Sequence, residues 1–292
     1  SASRVGIAAV LPEAPVERIL KRIISVCLRS GDIVVEGKGE ATRYSLSAQA
    51  HLMMPLNIEA YFDNEVDERK VQESFNFKLI REVLPQVTLF TAEETARLET
   101  AHKTFLANMS TLSDLEYRKE MERLGVDLSW KSSQIEGNTY SLLETERLLK
   151  EKETAQGKTK EEAVMLLNHK DALDFILDCP DYLKTLSVRR LEDIHCILTK
   201  ELGVGNGIRK RRVGITGTNY RPLDNEFQIR EALEDTCQLI NGKDNVFEKA
   251  LLALVLLSYI QAFTDGNKRT ARISINAILI AWGYCPISFR TV

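Results

Sequence analysis

The sequence predicts a mainly α-helical protein preceded by a small α+β unit, and three observations carry that reading. Four capping boxes, Thr91-Ala92-Glu93-Glu94, Ser113-Asp114-Leu115-Glu116, Ser141-Leu142-Leu143-Glu144 and Thr159-Lys160-Glu161-Glu162, each open a helix. Phe247 to Ile260 is apolar nearly all round its helical wheel, and Ile273, Ile275, Ile278, Leu279 and Trp282 continue a second such segment, as helices in a domain centre do. Alternating, turn-bounded stretches cluster in residues 1–47 and recur after Gly203.

Residues 1–50 are expected to form a first unit. Arg4 to Val10 reads as a short helix, Pro12-Glu13-Ala14-Pro15 as a turn, and Val16 to Arg29 as a helix with Ile19, Leu20, Ile23, Ile24 and Cys27 on one side. Ile33 to Val35 and Thr42 to Leu46 then read as strands around a Gly37-Lys38-Gly39 turn. Helix, turn, helix, hairpin is the order of a partial winged helix. Such a unit grips DNA through Arg18, Lys21, Arg22, Lys38 and Arg43 or packs against protein. Seven basic against five acidic residues in 1–47 is a thin footprint, so both roles stay open, as does self-association.

Residues 51–90 are expected to be a connector, with an amphipathic piece from Glu68 to Leu84. A helical domain then fills 91–292, with helices toward Leu106, Leu124, Lys150 and, from Ser187, Leu202. A separate helix is expected at about 126–137, stopped by Gly137. Net charge is only −3, which gives no global field toward nucleic acid or membrane, and no apolar run reaches the ~20 residues of a bilayer span. Five cysteines without a C-x-x-C pair suggest reduced thiols, no zinc site and a cytoplasmic setting, with Cys27 and Cys196 in the core. The chain starts and stops abruptly, as a trimmed piece does.

Chemistry concentrates in the loop from Gln261 to Arg272. Lys268, Arg269 and Arg272 crowd the first turn of a helix, where the macrodipole favours anions. Something negative belongs there. Gly266 permits close backbone approach, the first helical N–H groups suit phosphate oxygens, Arg269 and Arg272 share a face, and Asp265 is placed to hold Mg²⁺. Glu136 breaks the converse rule, since it lies at a helix C-terminal end. Two opposite violations relieve each other if the helix ends meet.

The stretch Gln261-Ala262-Phe263-Thr264-Asp265-Gly266-Asn267-Lys268-Arg269-Thr270-Ala271-Arg272 resembles the Fic family signature, H-P-F-x-(D/E)-G-N-(G/K)-R-x-x-R, at seven of nine specified positions. Gln261 stands where the family has its catalytic histidine, and Ala262 where it has proline. The resemblance implies a Fic-fold helical core that binds ATP with Mg²⁺ and transfers AMP to a hydroxyl of a target protein. It assigns Gln261, Asp265, Asn267 and Arg269 to catalytic positions, and Phe263, Gly266, Asn267, Lys268, Arg269 and Arg272 to the nucleotide. Ser132, Glu136 and Gly137 resemble the family's inhibitory motif, (S/T)-x-x-x-E-(G/N), which implies a brake in which Glu136 pairs with Arg272. Val213, Gly214, Ile215, Thr216, Gly217 and Thr218 resemble its flap, a β-hairpin where a target docks by strand addition. Arg209 to Arg212 beside it are expected to meet acidic target surface or nucleotide.

A neutral amide at position 261 accepts no proton, and losing a general base costs about 10² to 10⁴ in rate. The expectation is therefore an adenylyltransferase of weak or lost activity. The alternative is a non-catalytic nucleotide-sensing regulator with a DNA-binding N-terminal unit. His51, His102, His169 and His195 lie away from the signature, and His169 and His195 read as structural or surface residues.

Overall fold

The computed structural model describes residues 1–11 and 16–290, so the turn expected at Pro12 to Pro15 lies outside the described residues. The chain divides into two compact units, Ser1–Arg69 with Arg81–Leu89, and Lys70–Ile80 with Phe90–Val292. The expected connector is thus shared between the two.

In the first unit, Ser3 accepts the Gly6 N–H and opens α1 (Arg4–Val10), and Gly31 in the left-handed conformation ends α2 (Glu17–Ser30). β1 (Ile33–Glu36) pairs antiparallel with β2 (Arg43–Leu46), Ile33 facing Leu46 and Glu36 facing Arg43. At Gly37 between them a Cβ would meet the Ala41 carbonyl oxygen, so only glycine fits. The short helices α3 (Ala48–Leu52) and α4 (Ile58–Asp63) follow. The Gln49 amide donates to the Thr88 carbonyl at 2.7 Å and accepts the Thr88 N–H at 2.8 Å, which ties 81–89 to this unit.

The apolar side of α2 is narrower than expected. Leu20 and Ile24 are buried, but Ile19 and Ile23 are 51% and 48% exposed and Cys27 is half-buried. The pattern defines an apolar face wider than the cover this unit supplies. Glu68 to Leu84 is likewise no continuous helix, because it breaks into short turns at Val66–Glu68 and Leu79–Val83 around extended chain.

The second unit holds α5 (Ala92–Met109), α6 (Asp114–Ile135), α7 (Leu142–Glu151), α8 (Lys160–Asp178), α9 (Val188–Thr199), α10 (Glu226–Gly242), α11 (Val246–Ile260) and α12 (Asn267–Ala281). All four capping boxes make both of their reciprocal bonds. The expected separate helix at 126–137 is instead the end of α6, which runs unbroken through Gly125. A lone glycine costs a helix only about 1 kcal/mol, and the Lys170 side chain packs over this one. α10 has no counterpart among the expected helices.

α11 and α12 pack against each other at the centre, with Leu166, Leu191, Leu198, Ile229, Ala253 and Ile273 fully buried around them. The charges that interrupt α11 are buried too. Lys249 donates at 3.0 Å to the carbonyls of Ile240 and Asn241 at the end of α10, and Glu248 lies 3.3 Å from Lys243. Of the cysteines, Cys237 is the buried one, while Cys196 is half-buried, because its side of α9 is not fully covered. No helix among the described residues is long and apolar enough to cross a membrane.

The strand–turn–strand expected from Val213 to Pro222, around a turn at Thr216 to Asn219, does not form. Thr216 and Gly217 make a turn, but the arms do not ladder with each other. The Arg209 guanidinium donates to the carbonyls of Arg211 and Leu223 and so ties the loop at its base instead of across its arms.

Candidate functional site

The site is built where α11 ends and α12 begins. Gln261 turns the chain out of α11 with φ 52°, a left-handed conformation that is costly for a residue with a Cβ. Its side-chain amide folds back and donates to the Ser258 carbonyl at 2.7 Å, and its own carbonyl accepts from Arg209 Nε at 2.6 Å. Arg209 is 3% exposed, burial lowers its pKa, and its N–H donates to the Ala262 carbonyl at 3.0 Å. It therefore serves the loop, and neither nucleotide nor target surface as expected. Lys210 and Arg212 pair with Glu226 and Asp224.

Asn267 closes the loop. Its side-chain oxygen accepts the Phe263 N–H and its nitrogen donates to the Phe263 carbonyl, both at 2.8 Å. These bonds occupy both ends of its side chain, so Asn267 has its backbone N–H to offer a ligand. Gly266, at φ 78°, starts α12 with no side-chain cap, leaving the first N–H groups of the helix without partners inside it. That is an anion site by construction.

Arg269, in the first turn of α12, and Arg272, in the second, are 2% and 6% exposed. Arg269 donates to Asp265 Oδ2 at 2.9 Å and to the Leu198 carbonyl at 3.2 Å. Arg272 reaches across to the end of α6, where it donates to Ser132 Oγ at 2.9 Å, the Ser132 carbonyl at 3.1 Å and Glu136 Oε1 at 2.5 Å. Burial lowers the Arg272 pKa, and Glu136 opposes that by favouring the charged form. The misplaced carboxylate and the misplaced cation thus meet. Gly137, at φ 88°, turns the chain away just beyond.

A cavity of about 250 Å³ lies over this helix end, lined by Glu136, Val213 to Thr216, Gln261 and Thr264 to Lys268. Phosphate fits the uncapped helix start. Mg²⁺ fits less completely, since no cluster of three or more His, Cys, Asp or Glu exists among the described residues. Asp265 is well exposed and keeps one oxygen beyond its bond to Arg269, which suits an ion that takes its remaining ligands from phosphate and water.

His195 is structural, one of the two roles expected for it, and its contact with the loop is what sequence reasoning missed. It is fully buried on α9, its ring stacks on Phe263 at 3.9 Å and 13°, and its Nε2 lies 3.0 Å from the Asp265 carbonyl oxygen. A carbonyl only accepts, so Nε2 carries the proton. Burial lowers its pKa against the opposing bond to Asp265, so the ring is neutral at pH 7. A Cβ at Gly266 would lie 3.1 Å from Thr199 and 3.5 Å from this ring, which explains why the loop has glycine there. His169 is buried as well, its pKa pushed down to about 3 by burial and by Arg272 and Arg269.

Residues 185–279 match the Fic/DOC family. This stretch of the chain is similar to a Fic domain. It is 29% identical to protein adenylyltransferase fic-1 of Caenorhabditis elegans over 160 residues, 52% of this chain and 31% of that one. It is 31% identical to protein adenylyltransferase Fic of Nematostella vectensis over 169 residues, 55% and 39% of the two chains. The chain spans about a third of the length of these relatives. A fragment of Fic-1 from C. elegans superposes with a TM-score of 0.59 at 23% identity, covering 68% of this chain and 60% of that chain. A Fic domain containing signaling protein from Bacteroides thetaiotaomicron gives 0.57 at 20%, covering 67% and 75%. The Fic-domain match takes in α9 through most of α12, hence Gln261, the phosphate loop, His195 and both arginines, whereas Glu136 lies outside it.

Proposed function

We propose that this chain is a protein adenylyltransferase of the Fic type, held off by Glu136 and slowed by Gln261. The observation that carries the reading is the Arg272–Glu136 contact at the uncapped start of α12. Both arginines of the phosphate face are neutralised by carboxylates of the chain itself, Arg272 by Glu136 and Arg269 by Asp265. Binding Mg·ATP is then an exchange of partners. Outer phosphate oxygens replace Glu136 on Arg272, further oxygens take the backbone N–H groups of Asn267, Lys268 and Arg269 with the Lys268 ammonium beside them, and Asp265 is the residue that would hold a metal. Mg²⁺ would supply charge neutralisation for the leaving pyrophosphate.

In the transfer, the hydroxyl oxygen of a target side chain bonds to the α-phosphorus, the bond from that phosphorus to the pyrophosphate oxygen breaks, and the hydroxyl proton passes to water or a phosphate oxygen. Gln261 cannot take that proton, and its side chain already caps α11 through Ser258. Two blocks therefore act in series, the salt bridge on nucleotide orientation and the amide on proton transfer. The target docks along the Val213–Thr218 loop that walls the cavity.

The test is AMP transfer from labelled ATP by the parent, Glu136→Gly, and Glu136→Gly with Gln261→His. The double variant is expected to exceed the single one by at least about the hundredfold of a general base. A double variant that binds ATP yet labels neither itself nor any protein of its host lysate would sink this reading in favour of a nucleotide-sensing regulator.

A further inference from the structure

Lys70–Ile80 lies outside the residues that match the Fic domain, yet it belongs to the same compact unit. Its attachment is specific. The Arg221 N–H donates to the Glu73 carbonyl at 2.7 Å, and Ser74 forms a parallel bridge with Arg221. The Asn76 N–H donates to the Tyr259 hydroxyl at 3.0 Å. Phe75 stacks on Tyr259 at 4.8 Å and 20°, and Tyr220 stacks on Tyr259 at 4.7 Å and 21°. Both rings therefore stack on Tyr259. The Tyr220 hydroxyl donates to the Tyr259 carbonyl at 3.0 Å, in the last turn of α11 and two residues before Gln261.

The loop that walls the cavity therefore has two unlike arms. Its C-terminal arm, Tyr220-Arg221, is paired and stacked by the chain's own segment. Its N-terminal arm, Val213 to Thr216, lines the cavity, and its backbone makes no hydrogen bond among the described residues. An arm with unpaired backbone N–H and C=O groups is free to take up another strand, whereas an arm already paired is not.

We propose that Lys70–Ile80 is a strap that sets target specificity. It occupies the Arg221 arm and leaves Val213–Thr216 as the edge for an extended, hydroxyl-bearing segment of a partner protein, with Phe75 as the positioning residue. This rests on the adenylyltransferase reading. Because the strap orders the loop base in advance, the partner pays less ordering entropy on docking.

Hydrogen exchange on the parent chain tests the strap without any need for activity. Protection of the Arg221 amide with rapid exchange at Val213–Thr216 is expected. Phe75→Ala should speed exchange at Arg221 at least tenfold, leave the α11 and α12 amides protected, and be rescued by Phe75→Tyr. Equal exchange of both arms in the parent, or no response to Phe75→Ala, would overturn the strap. In the Glu136→Gly, Gln261→His background, with dephosphorylated casein as acceptor, Phe75→Ala should raise KM for casein at least fivefold with kcat within twofold. A fall in kcat alone would overturn the specificity role. Absence of all transfer in that background would strike the adenylyltransferase reading and the specificity role resting on it, while the exchange data still decide whether the strap exists.

Discussion

α12 and α2 are nearly equal in length and opposite in how they treat their sequence. α12 buries twelve of its fifteen residues, two arginines and two asparagines among them, and the loop before it is fastened by His195 and Arg209. α2 buries Leu20 and Ile24, and leaves Ile19, Ile23 and Val26 about half exposed. In α12, residues that belong at a surface are inside because partners were built for them. In α2, residues that belong inside are at the surface because this unit holds too little to cover them. A buried charge reveals a partner within the chain, and an exposed apolar face reveals only that cover is missing.

The sharpest way to break this contrast is to remove the partner of a buried cation. Arg269 keeps a single carbonyl bond, to Leu198, once Asp265 is gone. Asp265→Ala is therefore expected to cost about 2 to 4 kcal/mol in chemical denaturation without nucleotide, because Asp265 itself is exposed but its loss leaves the buried Arg269 with one neutral partner. A cost under about 1 kcal/mol would mean that Arg269 reaches water and that the phosphate face is not preformed.

The counterpart in α2 is Leu20→Ala, expected at about 2 to 4 kcal/mol because the side chain is 4% exposed and leaves a cavity. Glu136→Gly comes next. Arg272 retains both bonds to Ser132, and Glu136 is a quarter exposed, so the loss without nucleotide should be about 1 to 3 kcal/mol. Adding Mg·ATP should raise the Tm of this variant more than that of the parent, since phosphate supplies the counter-charge that was removed. Equal shifts would mean that Glu136 does not compete with nucleotide.

Much of this was legible because it is local. Each capping box is written in four residues, and the helices followed from them and from the apolar wheels. The Arg272–Glu136 contact spans 136 positions, yet each end broke an electrostatic rule, and the likeness to the Fic signature and its inhibitory motif paired them. His195, Arg209 and the strap were not legible. His195 and Arg209 act on backbone carbonyls, and the strap is held by backbone hydrogen bonds and ring stacking, groups that leave no complementary residue type to search for. Val126 to Ile135 continues the helix that opens at Ser113, because the lone Gly125 between them is packed under the Lys170 stem, a contact 45 residues away that no local pattern states. The exposure of Ile19 and Ile23 was invisible for a different reason, since a periodic pattern states which side of a helix is apolar and never how much of that side is covered.

The smallest effect is the most discriminating for α2. Full burial of an isoleucine stabilises by about 1.5 to 3 kcal/mol, and Ile19 and Ile23 keep roughly half of that, so Ile19→Ser and Ile23→Ser should each cost about 1 kcal/mol. Serine and isoleucine have similar helix propensities, so the difference reports packing and not backbone preference. Arg18, Arg22 and Arg29 follow one edge of the apolar stripe, and a helix face with that order offers a partner both apolar contact and positive charge. If Ile23→Ser costs as much as Leu20→Ala, and the cost rises with protein concentration, the stripe is buried in solution against a second copy. A cost near 1 kcal/mol, independent of concentration, leaves the stripe uncovered and keeps the contrast with α12 intact.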